Sequence, residues 1–226
     1  MRIFIIRHAE SYSNTQGRMM STTDLPLTEK GVQQATAAKL FFEKSIGIDS
    51  FKHVFCSPLL RAKQTANIIS GGQTSIIECD LLKEMDLGAL EGLTWQERAD
   101  QYPHIDMDKA LADIDFPSGE NYDSIEERCN RFIKEYLVPI KADENVLIVT
   151  HGITKRVIVN CLLHKKRECV NYLNWCDNCS FSEIEFDGIN SRIIRLNERS
   201  YLISNRLGTE GYDIWGMFSD IEYNLY

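Results

Sequence analysis

The run Ile3-Phe4-Ile5-Ile6, broken at once by Arg7-His8, constrains this chain more than any other stretch. Four consecutive apolar residues suit a strand buried on both faces. An arginine and a histidine have little structural use where such a strand ends. In open α/β sheets, the crevice beyond the carboxyl ends of the strands is where ligands bind. A histidine placed there can act as a nucleophile, and an arginine can hold an anion with a rigid fork of donors. The pattern recurs twice. Phe51–Cys56 reads as a strand that stops at Ser57-Pro58, with Arg61 just beyond. Asn145–Val149 reads as another, with the unbroken run Val146-Leu147-Ile148-Val149, and it stops at Thr150-His151-Gly152. In a parallel sheet these three ends lie along one edge, so distant residues meet in one crevice.

The intervening segments carry helical periodicity. Thr28 is a cap for a helix through about Ser45, with Val32, Ala35, Ala38 and Phe42 as its apolar stripe and Gly47 as its stop. Leu60 to Ser70 reads as a helix in which Leu60, Gln64 and Asn67 or Ile68 recur, closed by Gly71-Gly72. Arg61 then falls in a first helical turn, where the helix dipole disfavours a cation unless an anion is bound beside it. Ser75 to Cys79 is a short strand. Thr94 and Glu97 form a capping box for a short helix. Ile125 to Leu137 is amphipathic and ends before Pro139, and residues 153 to 163 are again helical. Phe181 to Phe186 and Arg192 to Leu196, joined through Asp187-Gly188, look like an antiparallel pair at the sheet edge. The expected architecture is an α/β three-layer sandwich, a mostly parallel central sheet flanked by helices, with an antiparallel edge. One domain spans 1–226. Within it, 93–123 is expected to be a lobe near the site entrance and 200–226 a tail, carrying Tyr201, Tyr212, Trp215, Phe218, Tyr223 and Tyr226, that packs over the body.

Composition narrows the function classes. The formal net charge of -8 argues against a general nucleic-acid or membrane surface, and no apolar run reaches membrane-spanning length. Seven cysteines without an export signal point to free thiols in a reducing, cytoplasmic setting. Cys176-Asp177-Asn178-Cys179 has the spacing of half a zinc site, but no second half is evident, so no structural zinc is expected. Asp106, Asp108, Asp113 and Asp115 lack the pattern of a calcium loop and are expected on a solvated segment. His53 reads as a rim residue. The long polar loop from Ser11 to Pro26, which holds Asn14 and Arg18, is of a length that usually serves function.

Two histidines and two arginines at strand ends suit phosphoryl transfer without a metal: a neutral imidazole attacks phosphorus while guanidiniums hold the oxygens that carry transition-state charge. A carboxylic acid must then protonate the leaving oxygen. Glu84, in the glycine-bounded loop Leu81 to Gly92 with Asp86 and Glu91, is the best-placed candidate.

At this point the motifs resemble a known family. Arg7-His8-Ala9-Glu10, then Asn14, Asp24-Leu25-Pro26-Leu27-Thr28 and Gly31, are similar to the opening motif of the histidine phosphatases, which include the cofactor-dependent phosphoglycerate mutases. Ser57 to Ala66, Leu82 to Gly92, Gly119-Glu120 with Arg128, and Val149-Thr150-His151-Gly152 resemble the later motifs, in order, over roughly residues 1 to 196. The resemblance implies that His8 is a nucleophile forming a phosphohistidine, that Arg7, Arg61 and His151 complete a phosphate pocket, and that Glu84 donates the proton. It implies a phosphate contact for Asn14 and a place near the substrate for Arg18. Ala9 stands where the family usually has Gly, a small-for-small change of little expected effect, and Ser21-Thr22-Thr23 stands where a Gly-Trp step is common, a departure that bears on the shape of the substrate rim and not on the chemistry. The segment between Glu84 and His151 is shorter than in the mutases that resemble this chain. The expected function is therefore metal-independent hydrolysis of a small phosphorylated molecule, with no cofactor. The alternatives are a phosphoglycerate mutase and a noncatalytic binder of phosphorylated ligands. A homodimer is compatible with the chain.

Overall fold

A computed structural model describes residues 1–47, 51–72, 75–107, 111–173 and 176–208. Six strands form one sheet: β1 (Arg2–Arg7), β2 (Phe51–Cys56), β3 (Ile76–Glu78), β4 (Asn145–Thr150), β5 (Phe181–Phe186) and β6 (Ser191–Glu198). Their spatial order is β3-β2-β4-β1-β5-β6. The first four are mutually parallel, whereas β5 runs antiparallel to both β1 and β6. The antiparallel edge is thus where the Asp187-Gly188 turn places it.

Alternate residues of the strands feed two cores. Ile3 and Ile5 of β1, with Val146 and Ile148 of β4, meet α4 (Tyr122–Phe132) and α5 (Gly152–Leu162) on one face. Phe4, Ile6, Leu147 and Val149 meet α1 (Glu29–Ser45), α2 (Leu60–Ser70) and the short α6 (Ser200–Ser204) on the other. This is the three-layer α/β sandwich. The central strands are apolar on both faces because both faces are covered. Phe4 sits edge-on to Phe42 and Phe51, and Tyr201 stacks on Phe181. No helix among the described residues is long and apolar enough to cross a membrane.

Several elements differ in detail from the sequence pattern. Val32 is 45% exposed, and the buried stripe of α1 is Gly31, Gln34, Ala35, Ala38 and Phe42. Gln34 enters the core because its amide accepts from Glu10 N and donates to the Leu207 carbonyl. In α2 the buried face is Arg61, Ala62, Thr65, Ala66 and Ile69, not Leu60, Gln64 and Ile68. The two alanines let the helix lie close to the sheet, and that rotation brings Arg61 inward. Residues 105–107 and 111–116 hold no regular element beyond a 3-10 turn at Leu111–Asp113, and they are solvated only on their aspartate side. Ile105, Met107, Leu111, Ala112, Ile114 and Phe116 are buried in the core, while Asp106, Asp113 and Asp115 are exposed. Asp108 lies outside the described residues, as do Tyr212, Trp215, Phe218, Tyr223 and Tyr226 of the expected tail. The capping box of Thr94 and Glu97 opens α3 (Trp95–Gln101). The helix expected over 125–137 starts earlier, at the Asn121 cap, and widens into a π turn over Ile133–Leu137. His53 bonds Glu144, 2.9 Å away.

The start of α1 is locked to the chain just beyond β1. Thr28 accepts from Gly31 N as the helix cap, and its own backbone N–H donates to Glu10 O at 3.0 Å. The helix comes so close that a Cβ at Gly31 would stand 1.9 Å from that same carbonyl oxygen. Glycine is required here by the close approach of backbone to backbone. Gly31→Ala should therefore lower stability by about 1–3 kcal/mol, the usual penalty for overpacking. Urea unfolding checks this, and an unchanged midpoint would show that the α1 contact is looser than described.

Candidate active site

Strands β2, β4 and β1 lie side by side, so their carboxyl ends bring Ser57, His151 and the pair Arg7-His8 together. Backbone bonds fix the register beyond the sheet: His8 N donates to Thr150 O at 2.8 Å and Ser57 N to Val149 O at 3.0 Å. Arg7, His8, Arg61 and His151 are all buried. The pocket in front of them is walled by Arg7, His8, Asn14, Ser21, Arg61 and Glu84, with Ser13, Met20, Leu87 and Ile153 completing it.

His8 is held in one tautomer. Its Nδ1 lies 2.8 Å from the Ala9 carbonyl, which can only accept, so Nδ1 carries the proton and Nε2 keeps its lone pair. Arg61 Nε donates to that Nε2 at 3.2 Å. The remaining Arg61 bonds run to the carbonyls of Thr23 (2.8 Å) and Ser21 (2.6 Å). Those carbonyls are presented by Glu91, whose two carboxylate oxygens take the backbone N–H and hydroxyl of Ser21 and of Thr23. Burial works against the Glu91 charge, but these four bonds outweigh it and hold its pKa below the ordinary carboxylate value. Asp24 accepts from Leu60 N, tying the same loop to the first turn of α2.

His151 lies behind His8, with 5.0 Å between ring centroids. Its Nε2 is 2.8 Å from the Ser57 hydroxyl, and its buried Nδ1 has no hydrogen-bond partner among the described residues. Ser57 Oγ already accepts from Leu59 N, and the imidazole is the one acceptor the described contacts offer its proton. That assignment makes Nε2 the acceptor and leaves the Nδ1 N–H as an unsatisfied donor, which an anion's oxygen would satisfy.

Glu84 stands at the amino end of α5. Its oxygens accept from Ile153 N (3.2 Å) and Thr154 N (3.1 Å), and from Met85 N (3.0 Å). Asn14 spends its carbonyl on Ser11 N and on Asn178 Nδ2, so its amide N–H groups are the end left for a ligand. Arg7 donates through Nη1 to Cys176 O at 2.6 Å.

Six of the residues singled out in the sequence are thus brought together: Arg7, His8, Asn14, Arg61 and Glu84 in the pocket wall, and His151 behind His8. Arg18 is not. It turns to the 92–97 segment, donating to Gly92 O (2.7 Å) and pairing with Glu97 (3.1 Å), and it is not part of the pocket wall. The sequence reading also passed over the supports. Ser57 binds His151, Glu91 holds the Arg61 carbonyls, and Asn178 donates to His8 O at 3.1 Å. The turn from Cys176 to Cys179 is a bracket for the pocket. Cys176 O binds Arg7, and Cys179 N bonds the carbonyls of Arg7 and His8. Among the described residues no cluster of three or more His, Cys, Asp or Glu side chains is placed to hold a metal.

Burial, reinforced by Arg61 and Arg7, pushes the His8 pKa well below the ordinary 6.5. Burial also lowers His151, with Arg61, His8, Arg128 and Arg7 adding to it. Buried imidazoles with lowered pKa values facing fixed guanidiniums, in a crevice at the carboxyl edge of a parallel sheet, fit an enzyme built to handle phosphoryl groups.

The chain belongs to the histidine phosphatase superfamily (branch 1), whose family model matches residues 3–199. It is similar to the 2,3-bisphosphoglycerate-dependent phosphoglycerate mutase 2 of Gloeobacter violaceus, with 31% identity over 201 residues covering 85% of this chain and 90% of that protein. It is 33% identical over 164 residues to a 6-phosphofructo-2-kinase/fructose-2,6-bisphosphatase of Caenorhabditis elegans. That match covers 71% of this chain but only 33% of the relative, so the chain spans a third of that protein's length. The alpha-ribazole phosphatase structure from Shigella flexneri superimposes with a TM-score of 0.78 at 25% identity, covering 88% of this chain and 96% of that one.

Linkage gives the pH behaviour of the site. Both histidines stay neutral in the fold, while the unfolded chain takes up protons near 6.5. Their contribution to stability is full above that value and falls as the pH drops below it. Imidazole NMR titration should place both midpoints below 6.5, and saturating inorganic phosphate should raise them by offsetting the guanidinium charge. A midpoint at or above 6.5 in the free protein would contradict the burial of these rings.

Proposed function

We propose that this chain is a phosphomonoesterase that hydrolyses a small phosphorylated molecule through a phosphohistidine at His8, without a metal. The observation that carries the reading is the His8 geometry. The unprotonated Nε2 faces a pocket shared with Arg7, Arg61 and Glu84, and the Ala9 carbonyl holds the proton on the other nitrogen. The similarity to the alpha-ribazole phosphatase of Shigella flexneri supports the reading at the level of family and fold.

In the first step His8 Nε2, released from the Arg61 Nε–H that it accepts in the free protein, attacks phosphorus, and the bond to the ester oxygen breaks. Arg7, Arg61, the Asn14 amide and His151 Nδ1–H hold the non-bridging oxygens, where charge is greatest in the transition state. Glu84 gives its proton to the departing alkoxide oxygen. In the second step the Glu84 carboxylate takes a proton from water as the water oxygen bonds phosphorus, and the P–N bond breaks to release inorganic phosphate and neutral imidazole. The two guanidiniums supply the positive charge that a divalent ion supplies elsewhere.

His8→Ala should abolish turnover of p-nitrophenyl phosphate and the acid-labile, base-stable phosphate on the protein. Phosphate that persists in the variant would remove His8 from the role. Glu84→Gln should cost about 10²–10⁴-fold on a poor alkyl leaving group, the span of general acid–base catalysis. The loss in the phosphorylation step should be much smaller for p-nitrophenolate, which leaves without a proton. Equal losses on both substrates would count against proton donation by Glu84, and activity lost to EDTA and restored by magnesium would reject the metal-free step.

A further inference from the structure

The pocket's supply of cations defines what the leaving group can be. Arg7 and Arg61, which flank His8, are the two guanidiniums in its wall, and the apolar part of that wall is Met20, Leu87 and Ile153. The other nearby cations are engaged elsewhere. Arg128 forks onto both oxygens of Glu120 and donates to Leu81 O. Arg18 is tied to Gly92 and Glu97, Lys83 pairs with Asp80, and Arg156 donates to Val170 O. Lys155 is buried on the Ser180 carbonyl. None of these five lines the pocket. The remainder of the sequence adds almost nothing. Outside the described residues Lys109 is the sole Lys, Arg or His, and residues 209–226 carry Glu210, Asp213, Asp220 and Glu222 with no cation at all.

We infer that the substrate is the phosphate monoester of an uncharged, partly apolar alcohol, with no second phosphate and no carboxylate on the leaving group. This rests on the hydrolase reading above. The two guanidiniums are matched by one phosphate dianion. A second anion would lose its water against Met20, Leu87 and Ile153 with no further counter-ion among the described residues of the wall, beside the Glu84 carboxyl, and an unpaired buried charge is strongly penalised. An apolar leaving group gains from the same wall.

The test uses the full chain with three esters: benzyl phosphate, para-carbamoylbenzyl phosphate and para-carboxybenzyl phosphate. The last two match in size and differ in charge. The carboxamide should exceed the carboxylate in kcat/KM by about tenfold or more, the scale on which a site rejects a group it leaves unpaired. A smaller or reversed ratio overturns the inference, and so does turnover of p-nitrophenyl phosphate with none of the three benzyl esters. Met20→Arg, at a half-buried wall position, should shrink the ratio by supplying the missing charge, and an unchanged ratio in that variant counts against the wall described here. Failure to hydrolyse any monoester, with no phosphate on His8, instead removes the hydrolase reading.

Discussion

The buried guanidinium of Arg61 is the interaction on which the rest of the site depends. Taking a guanidinium out of water is costly unless its donors are satisfied. Here they are met by His8 Nε2 and by the carbonyls of Ser21 and Thr23. Each partner is in turn fixed by something else. The carbonyls belong to a loop clamped by Glu91, the histidine ends an interior strand, and Arg61 itself enters because Ala62 and Ala66 set α2 close to the sheet. Burial pulls the Arg61 pKa down, and the carboxylates Glu84, Asp24 and Glu91 oppose it. The charge is kept by a ring of acids at a distance, which leaves the space in front of it to the ligand.

Much of this was legible because reactive residues stand where apolar runs break. Arg7, His8 and His151 could be placed at one edge from Ile3–Ile6 and Val146–Val149 alone, since parallel strands put their ends together. Arg61 was legible by its position against a helix dipole. The supports were not, for a physical reason. Ser57, Asn178 and Glu91 act through hydrogen bonds to residues distant in sequence, and no periodicity reports such bonds. The expected face of α1 holds at Ala35, Ala38 and Phe42 and fails at Val32, and that of α2 is rotated, where polar side chains take part in the buried face. Gln34 and Thr65 are buried because they carry specific bonds to Glu10 N and Ala9 N, which a count of apolar residues cannot see. The 105–116 segment did carry a signal. Ile114 and Phe116 alternate with Asp113 and Asp115 as in a chain lying flat on a core, and the acidity drew attention away from the alternation.

The same arrangement sets stability against function. Two neutral histidines, a guanidinium with a lowered pKa and a buried lysine shifted to about 8 are groups the fold would hold more easily in water. For Lys155 the cause is chiefly burial, eased by Cys176 and worsened by Arg7. A phosphate dianion would match the two guanidiniums and offset their field at the histidines. The pocket is therefore prepared for charge that a ligand brings, and binding should recover stability that the free fold gives up.

His8 and His151 show how one residue type takes two roles in one crevice. Both are buried, and both feel the same arginines. Their difference lies in the single partner each ring finds. A carbonyl can only accept, so Ala9 forces the proton onto His8 Nδ1 and leaves Nε2 with a lone pair. A hydroxyl can donate, so Ser57 supplies a proton to His151 Nε2 and leaves Nδ1–H as a donor. One imidazole becomes electron-rich toward the pocket and the other proton-rich. Phosphoryl transfer needs both, a lone pair for phosphorus and an N–H for the oxygens around it, and a backbone carbonyl and one serine hydroxyl are enough to tell the two rings apart.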